Sequence, residues 1–286
     1  SKGIDMETTS RRAILCPNCR RLINPDEPHC PFCGIPSPGS RRWAGARLFN
    51  LSDPMQVIRL ITYACGTLFV LSLLSNTRWA SLSFDPFSLL APDSRALVLL
   101  GATGRGPIDQ YGRWWTVFTA TYLHGGILHI LFNMMALRQI GPLIIQEFGP
   151  SRMFLIYTLG GALGYVASYL AGTWLTIGAS SAVCSLIGAA LYYGKSRGGH
   201  FGQMVYREVS GWVIGLFVFG LLMPGIDNWA HGGGLIGGIV LGMLFGYSER
   251  KAETSMHKIL AAFCLVVVAG AMSWTVLTGL YLRFLY

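Results

Sequence analysis

Two polar clusters at the ends of apolar stretches have the residue types that acyl transfer needs. Ser180 and Ser181 follow Gly178 in "GASSAVCSLIGA", and His231 stands near the start of "AHGGGLIGG". A serine hydroxyl that meets a histidine supplies a nucleophile and its general base. Either serine alone could instead be a small residue that lets two membrane helices approach each other. His231 alone could be an interfacial histidine bonded to backbone.

A third cluster could stabilise the negative oxygen that acyl transfer develops. His124, His129 and Asn133 lie in "HGGILHILFNMMAL", and the last two are four residues apart, hence on one helix face. An asparagine amide and a histidine ring can both donate to an oxyanion. His129 could also be a packing residue bonded to a loop carbonyl. Because polar residues inside a bilayer are costly, three clusters at one membrane face favour a shared site.

The composition indicates an all-α polytopic membrane protein. The chain has 286 residues, 52% hydrophobic and 12% charged, with 36 glycines and a mean hydropathy of +0.48. The net charge is +9, and many of the basic residues lie in the first 60 positions and in short loops. This pattern indicates that they orient the chain in the membrane and do not bind nucleic acid. Residues 1–40 are polar and contain no apolar core of a cleavable signal, so we expect a cytosolic N-terminus.

Seven apolar segments are long enough to cross a hydrocarbon core of about 30 Å, which takes ~20 residues of helix. The second, fourth and sixth enter from the same outer side, where the three clusters can converge, and Arg and Lys favour the inner connections. The long outer loop 76–123 should pack on or dip into the membrane surface. The predicted spans are 57–75, 124–145, 151–171, 178–194, 209–223, 228–247 and 258–281.

Glycines recur every four residues in the sixth span, at Gly234, Gly238 and Gly242. Such a stripe lets another helix lie close against it. If the fourth span occupies the stripe, close packing would hold Ser180 beside His231.

Four cysteines near the N-terminus form two C-x-x-C pairs separated by ten residues, namely Cys16, Cys19, Cys30 and Cys33. This pairing predicts a small zinc ribbon with one structural Zn²⁺. The alternative, two disulfides, needs an oxidising compartment, against which the arginine-rich flanks argue. The module could recruit a cytosolic partner, steady the first span or sense metal.

"HGGILHILFNMMAL", "GASSAVCSLIGA" and "AHGGGLIGG" together resemble the rhomboid family of intramembrane serine proteases, over residues 57–250. The resemblance implies a six-helix core with Ser180 as nucleophile and His231 as general base. It also implies an oxyanion hole of Asn133, His129 and backbone N–H groups near Ser180, and a supporting role for His124 and Gly178. No cofactor for catalysis is implied, and a seventh, C-terminal membrane helix lies outside the core.

The sequence departs from the family pattern at three places. Ser181 stands where the family usually has glycine, and Cys184 where an aromatic residue often stacks on the catalytic imidazole. The family's Trp-Arg pair in the outer loop aligns with Trp115 and Thr116, with Arg113 nearby. The base orientation and the anchoring of the loop could therefore differ.

We therefore expect a serine endopeptidase that cuts transmembrane segments of other proteins near the outer face of the bilayer. One alternative is a catalytically silent rhomboid-like protein that binds membrane clients; another is a transporter or channel, but no inverted repeat is visible. A bacterial plasma membrane is the expected location. The expected divisions of the chain are an N-terminal tail (1–15), the zinc ribbon (16–34), a linker (35–56), the six-span core (57–250) and the seventh membrane helix (251–286).

Overall fold

The computed structural model describes residues 13–16, 21–32, 34–40, 53–76, 89–223 and 225–285, with side chains as far as Tyr281. Two compact units, residues 1–56 and 57–286, divide the chain. Cys19, Cys33 and the "FDPF" stretch of the long loop lie outside the described residues.

The N-terminal unit contains two short antiparallel strands, β1 (Ile14–Leu15) and β2 (Leu22–Ile23). Cys16 and Cys30 are buried around Ile23. The Cys16 amide donates to the Arg21 carbonyl and the Cys30 amide to the Ile35 carbonyl, both at 2.9 Å. Each cysteine thus bonds to the carbonyl five residues after it.

Helices form nearly all regular structure in the described part of the second unit, and seven of them have 18 residues or more. Five are long and apolar enough to cross a membrane: α1, α4, α5, α7 and α9. The other two long helices, α6 and α8, are rich in small and polar residues, which lowers their hydropathy. The helices are α1 (Gln56–Leu74), α2 (Ser94–Leu99), α3 (Thr116–Thr119), α4 (Ile127–Phe148), α5 (Pro150–Leu170), α6 (Ser180–Arg197), α7 (Gly199–Leu222), α8 (Asn228–Phe245) and α9 (Ser255–Leu285).

The glycine stripe of α8 lies directly against α6. A methyl group on Gly238 would lie 2.7 Å from the Ser185 Cα, closer than real Cβ contacts allow. One turn earlier, Gly234 faces the Ser181 backbone, and Gly242 faces Ala189 one turn later. Because the contacts at Gly234 and Gly238 are with backbone atoms of α6, the two helices pack closely.

The start of α7 differs from the sequence prediction. That span was predicted at 209–223 from hydropathy, whereas α7 begins at Gly199, directly after Gly198 (φ +67°) ends α6. The polar stretch "GHFGQMVYRE" extends the helix beyond its apolar part. Hydropathy reports where a helix is apolar, whereas the backbone can stay helical past that boundary.

The described part of the long loop is mostly ordered in short helical turns. Besides α2 and α3 it contains a π-helical turn at Gly106–Gln110 and a 3₁₀ turn at Ala120–Tyr122. Thr103 and Thr176 exchange backbone hydrogen bonds of 3.1 and 2.8 Å, which pairs this loop with the connection between α5 and α6. The loop is therefore attached to the segment that leads into Ser180.

A buried arginine connects several segments at the end of the bundle opposite Ser180. Arg152, fully buried in the first turn of α5, donates from Nη1 to the carbonyls of Gly246 (2.8 Å) and Lys251 (2.7 Å). Its Nε donates to the Phe148 carbonyl and its Nη2 to the Ser248 hydroxyl. These acceptors belong to the end of α4 and to the segment that follows α8. One side chain of α5 thus connects its own helix to the ends of α4 and α8.

We expect Arg152→Met to lower the free energy of unfolding by at least about 3 kcal/mol, because it leaves several buried carbonyls without their charged donor. Thermal unfolding in detergent measures the change. Arg138→Met, at an exposed arginine of α4, is the matched control and should unfold close to wild type. Equal midpoints for the two variants would contradict this role of Arg152.

Candidate active site

The two adjacent serines have different environments. Ser181 is fully buried, and its hydroxyl donates to the carbonyls of Gly161 (2.9 Å) and Ala230 (3.2 Å). Ser180, the first residue of α6, is partly exposed. Of the pair, Ser180 is thus the more exposed serine.

The bond from Ser181 to Ala230 also joins the two helix starts that carry the candidate catalytic residues. Ser181 follows Ser180 directly, and Ala230 directly precedes His231. A 3.2 Å hydrogen bond between these neighbours therefore brings the first turns of α6 and α8 side by side. Ser180 and His231 stand in those first turns, at the same end of the bundle.

His129 lies beside Ser180, across Gly178. A methyl group on Gly178 would be 2.6 Å from His129 Nε2 and 3.7 Å from Ser180 Oγ, and its φ of +121° also favours glycine. The Gly125 amide donates to His129 Nδ1 at 3.2 Å. An accepting Nδ1 carries no proton, so the neutral ring has its proton on Nε2, as assigned from this bond. The Nε2–H group is therefore a donor close to Ser180.

Asn133 and His124 flank His129. The Asn133 side-chain amide donates to the His129 carbonyl at 2.8 Å, which leaves the second N–H of the same nitrogen. His124 is fully buried and edge-on to His129, with ring centroids 5.1 Å apart. Neither ring nitrogen of His124 has a hydrogen-bond partner in the described part of the chain. His124 thus supports the His129 ring by packing.

His231 lines an open cavity of about 360 Å³ between residues of α6, α7 and α8. Cys184, one turn after Ser180, lies in its wall together with Phe217 and Trp229. Nδ1 of His231 is buried without a hydrogen-bond partner among the described residues. Where the family pattern has an aromatic ring, the small Cys184 side chain leaves room beside the imidazole.

The long loop 76–123 is anchored, in its described part, by groups that differ from the family's pair. Arg113 donates to the carbonyls of Val98 (2.6 Å) and Leu99 (3.3 Å), at the end of α2. The Trp115 indole donates to the Thr275 hydroxyl of α9 at 2.9 Å. The guanidinium thus comes from two residues before the tryptophan, and α9 supplies a further attachment.

Sequence reasoning missed two hydroxyl groups on α5 and the role of one acid. Tyr165 donates to the carbonyl of Gly178, and Ser168 donates to Asp227. Asp227 caps α8 by accepting from the Ala230 amide at 3.0 Å. The only signal in the sequence was general, since hydroxyl side chains recur along the otherwise apolar α5 and do not single out Tyr165 and Ser168.

The segment that carries these residues is similar to known proteins. The rhomboid domain family matches residues 111–248, which include Asn133, Ser180 and His231. "Putative rhomboid protease YdcA" of Bacillus subtilis is 33% identical over 139 residues, which cover 46% of this chain and 68% of that protein. The chain belongs to the rhomboid family. The resemblance drawn from the three motifs is thereby confirmed.

Other rhomboid relatives are longer than the part that they share with this chain. Rhomboid protease GluP of Bacillus subtilis is 33% identical over 177 residues, covering 62% of this chain and 34% of GluP. RHOMBOID-like protein 7 of Arabidopsis thaliana is 35% identical over 169 residues, covering 58% of this chain and 54% of that relative. The chain thus spans between a third and just over half the length of these two rhomboids.

Proposed function

We propose that this rhomboid is an intramembrane serine endopeptidase that cuts transmembrane segments near the outer face of the bilayer with a Ser180–His231 dyad. The hydrogen bond from Ser181 to Ala230 is the observation that carries the proposal, since it sets the first turns of α6 and α8 side by side. The accessible position of Ser180 supports its choice over Ser181. Rhomboid proteases among the relatives support the protease class.

In the proposed mechanism, Ser180 Oγ attacks the carbonyl carbon of the scissile bond while His231 takes the hydroxyl proton. The oxyanion accepts hydrogen bonds from His129 Nε2–H, the free N–H of Asn133 and the backbone N–H of Ser180. The first-turn N–H groups of α6 have no partner inside the helix and add their positive dipole end. His231 then protonates the leaving amine, and water activated by His231 releases the acyl group.

The proposed substrates are transmembrane segments of other proteins that unwind locally. A peptide bond inside a helix is hydrogen-bonded and shielded, so helix-breaking residues should mark the cut region.

The basic side chains Lys195 and Arg197 lie at the end of α6 opposite Ser180, where Arg197 pairs with Glu249 at 2.9 Å. By the positive-inside rule, that end faces the cytosol and the dyad opens outward. The bacterial plasma membrane stays a prediction.

The rival proposal is a silent rhomboid-like protein that binds membrane clients without cutting them. The two are separated by reconstituting the full chain in liposomes with a transmembrane protein whose span contains a helix-breaking pair such as Gly-Pro. The protease proposal expects two products whose masses place the cut within the span, near the outer face. Stable co-purification with an intact client, and no products, would favour the silent protein.

We further propose that Cys16, Cys19, Cys30 and Cys33 hold one structural Zn²⁺. The burial of Cys16 and Cys30 in one cluster and their equivalent backbone hydrogen bonds to the fifth residue after each support two metal knuckles. Within the described ranges no three potential ligands form a metal site, and Cys19 and Cys33 lie outside those ranges. This ion would order the N-terminal unit and take no part in peptide cleavage.

Metal analysis of the purified full chain tests this site. We expect about one zinc per chain, as for a closed four-cysteine site, and its loss in a Cys16→Ser, Cys30→Ser double variant. Cys65→Ser, at a buried cysteine inside α1, is the control and should keep the zinc. Zinc-free protein with two disulfides in the N-terminal unit would contradict the proposal.

A further inference from the structure

One face of α5 contacts both segments that carry the proposed dyad, although α5 contributes no reacting group. Gly161, Tyr165 and Ser168 lie on this face at helical spacing. Tyr165 and Ser168 are essentially inaccessible, with exposures of 1% and 0%. A buried hydroxyl group needs a partner, and both of these donate to a segment next to a catalytic residue.

The Tyr165 hydroxyl acts on the loop before Ser180. It donates to the carbonyl of Gly178, two residues before the proposed nucleophile. The amide of the same glycine donates to the Ala120 carbonyl at 2.9 Å. Both polar backbone groups of Gly178 are therefore held, which fixes the direction in which the chain enters α6.

The Ser168 hydroxyl acts on the first turn of α8. It donates to Asp227 Oδ2, while Asp227 Oδ1 accepts from the Ala230 amide at 3.0 Å. The Asp227 carbonyl in turn accepts from the His231 amide at 3.1 Å. Ser168 thus fixes the capping carboxylate and, through it, the helical turn that presents His231.

We propose that Tyr165 and Ser168 are positioning residues that hold Ser180 and His231 at the separation that proton transfer requires. This inference rests on the proposed dyad. Proton transfer is sensitive to placement, and a shift of about 1 Å can slow a reaction about a hundredfold. Both hydroxyl groups are attached to one rigid helix, so loss of either lets one of the two segments move relative to the other.

The test measures the inactivation of the folded full chain by a fluorophosphonate, with the limiting rate constant and the reagent's apparent affinity determined separately. We expect Tyr165→Phe and Ser168→Ala each to lower the limiting rate constant at least tenfold while the affinity changes less than twofold. This split is the distinguishing readout, because general loosening of the fold would also weaken binding of the reagent.

Ser185→Ala is the matched control. Ser185 is also a fully buried serine between α5 and α6, but its hydroxyl donates to the Ile156 carbonyl at 2.8 Å, deeper in the bundle. We expect this variant to lose thermal stability like the other two and to keep the wild-type limiting rate constant. The three midpoints of unfolding show whether the comparison is made at equal stability.

Limiting rate constants within twofold of wild type for both α5 variants would overturn the inference, as would an equal slowing in Ser185→Ala. Both variants remove a single oxygen atom. If Tyr165→Phe does not fold, Ser168→Ala decides the question. Failure of the proposed function looks different: folded wild-type protein would then not react at all, and both proposals would fall together.

Discussion

Replacing Ser180 by alanine is expected to lower cleavage of a reconstituted transmembrane substrate by at least about a thousandfold, because no other group can form the acyl-enzyme. Product formation in liposomes measures the loss. The variant should fold like the wild type, since the Ser180 side chain is partly exposed and replacement by alanine leaves a good helix former.

Ser181→Ala is the matched control for this prediction. It removes a hydroxyl group that donates to Gly161 and Ala230, so we expect a loss of about 1 kcal/mol in stability. Measurable cleavage should remain, because the proposed nucleophile is untouched. The reverse pattern, with activity kept in Ser180→Ala and abolished in Ser181→Ala, would move the nucleophile by one residue.

The second large effect is expected at the contact between α6 and α8. Gly238→Ala should lower the free energy of unfolding by at least about 3 kcal/mol, because the added methyl group meets the Ser185 backbone and no rotamer change can relieve the overlap. Separation of the helices would also pull the first turns of α6 and α8 apart. Thermal unfolding in detergent and fluorophosphonate labelling measure the two consequences.

Gly215→Ala in α7 makes the same chemical change where no atom lies within 4 Å of the new methyl group. We expect it to leave stability unchanged or to raise it by up to about 1 kcal/mol through better helix propensity. If Gly238→Ala unfolded at the same temperature as Gly215→Ala, the close contact between α6 and α8 would be refuted.

The positions of the long helices could largely be predicted from hydropathy. The first and third spans were predicted at 57–75 and 151–171, and the helices are Gln56–Leu74 and Pro150–Leu170. Hydropathy works here because the bilayer requires long apolar helices. It failed at the start of α7, where the helix continues through a polar stretch from Gly199.

The contacts of the site itself could be predicted only in part. The glycine stripe and the three motifs indicated which segments should meet, since small residues and intramembrane polar groups are rare enough to be informative. The bonds that hold these segments depend on which backbone carbonyls come within reach of a hydroxyl. The pairing of Tyr165 with Gly178 and of Ser168 with Asp227 therefore needed three-dimensional coordinates.

The departures from the family pattern also needed the structure. Ser181 looked like a change beside the proposed nucleophile, yet its hydroxyl connects α6 to α5 and to α8. Thr116 looked like the loss of an anchoring arginine, yet Arg113 binds the end of α2 from a nearby position. In both cases the side chain that makes the contact, Ser181 or Arg113, donates to backbone carbonyls, and a sequence pattern does not display such acceptors.

The most direct test of the central claim is to locate the residue that a fluorophosphonate modifies in the folded wild-type chain, by mass spectrometry of its peptides. We expect a single adduct on Ser180, formed much more slowly in His231→Ala. An adduct on Ser181, equal labelling without His231, or no adduct on folded protein would contradict a Ser180–His231 dyad.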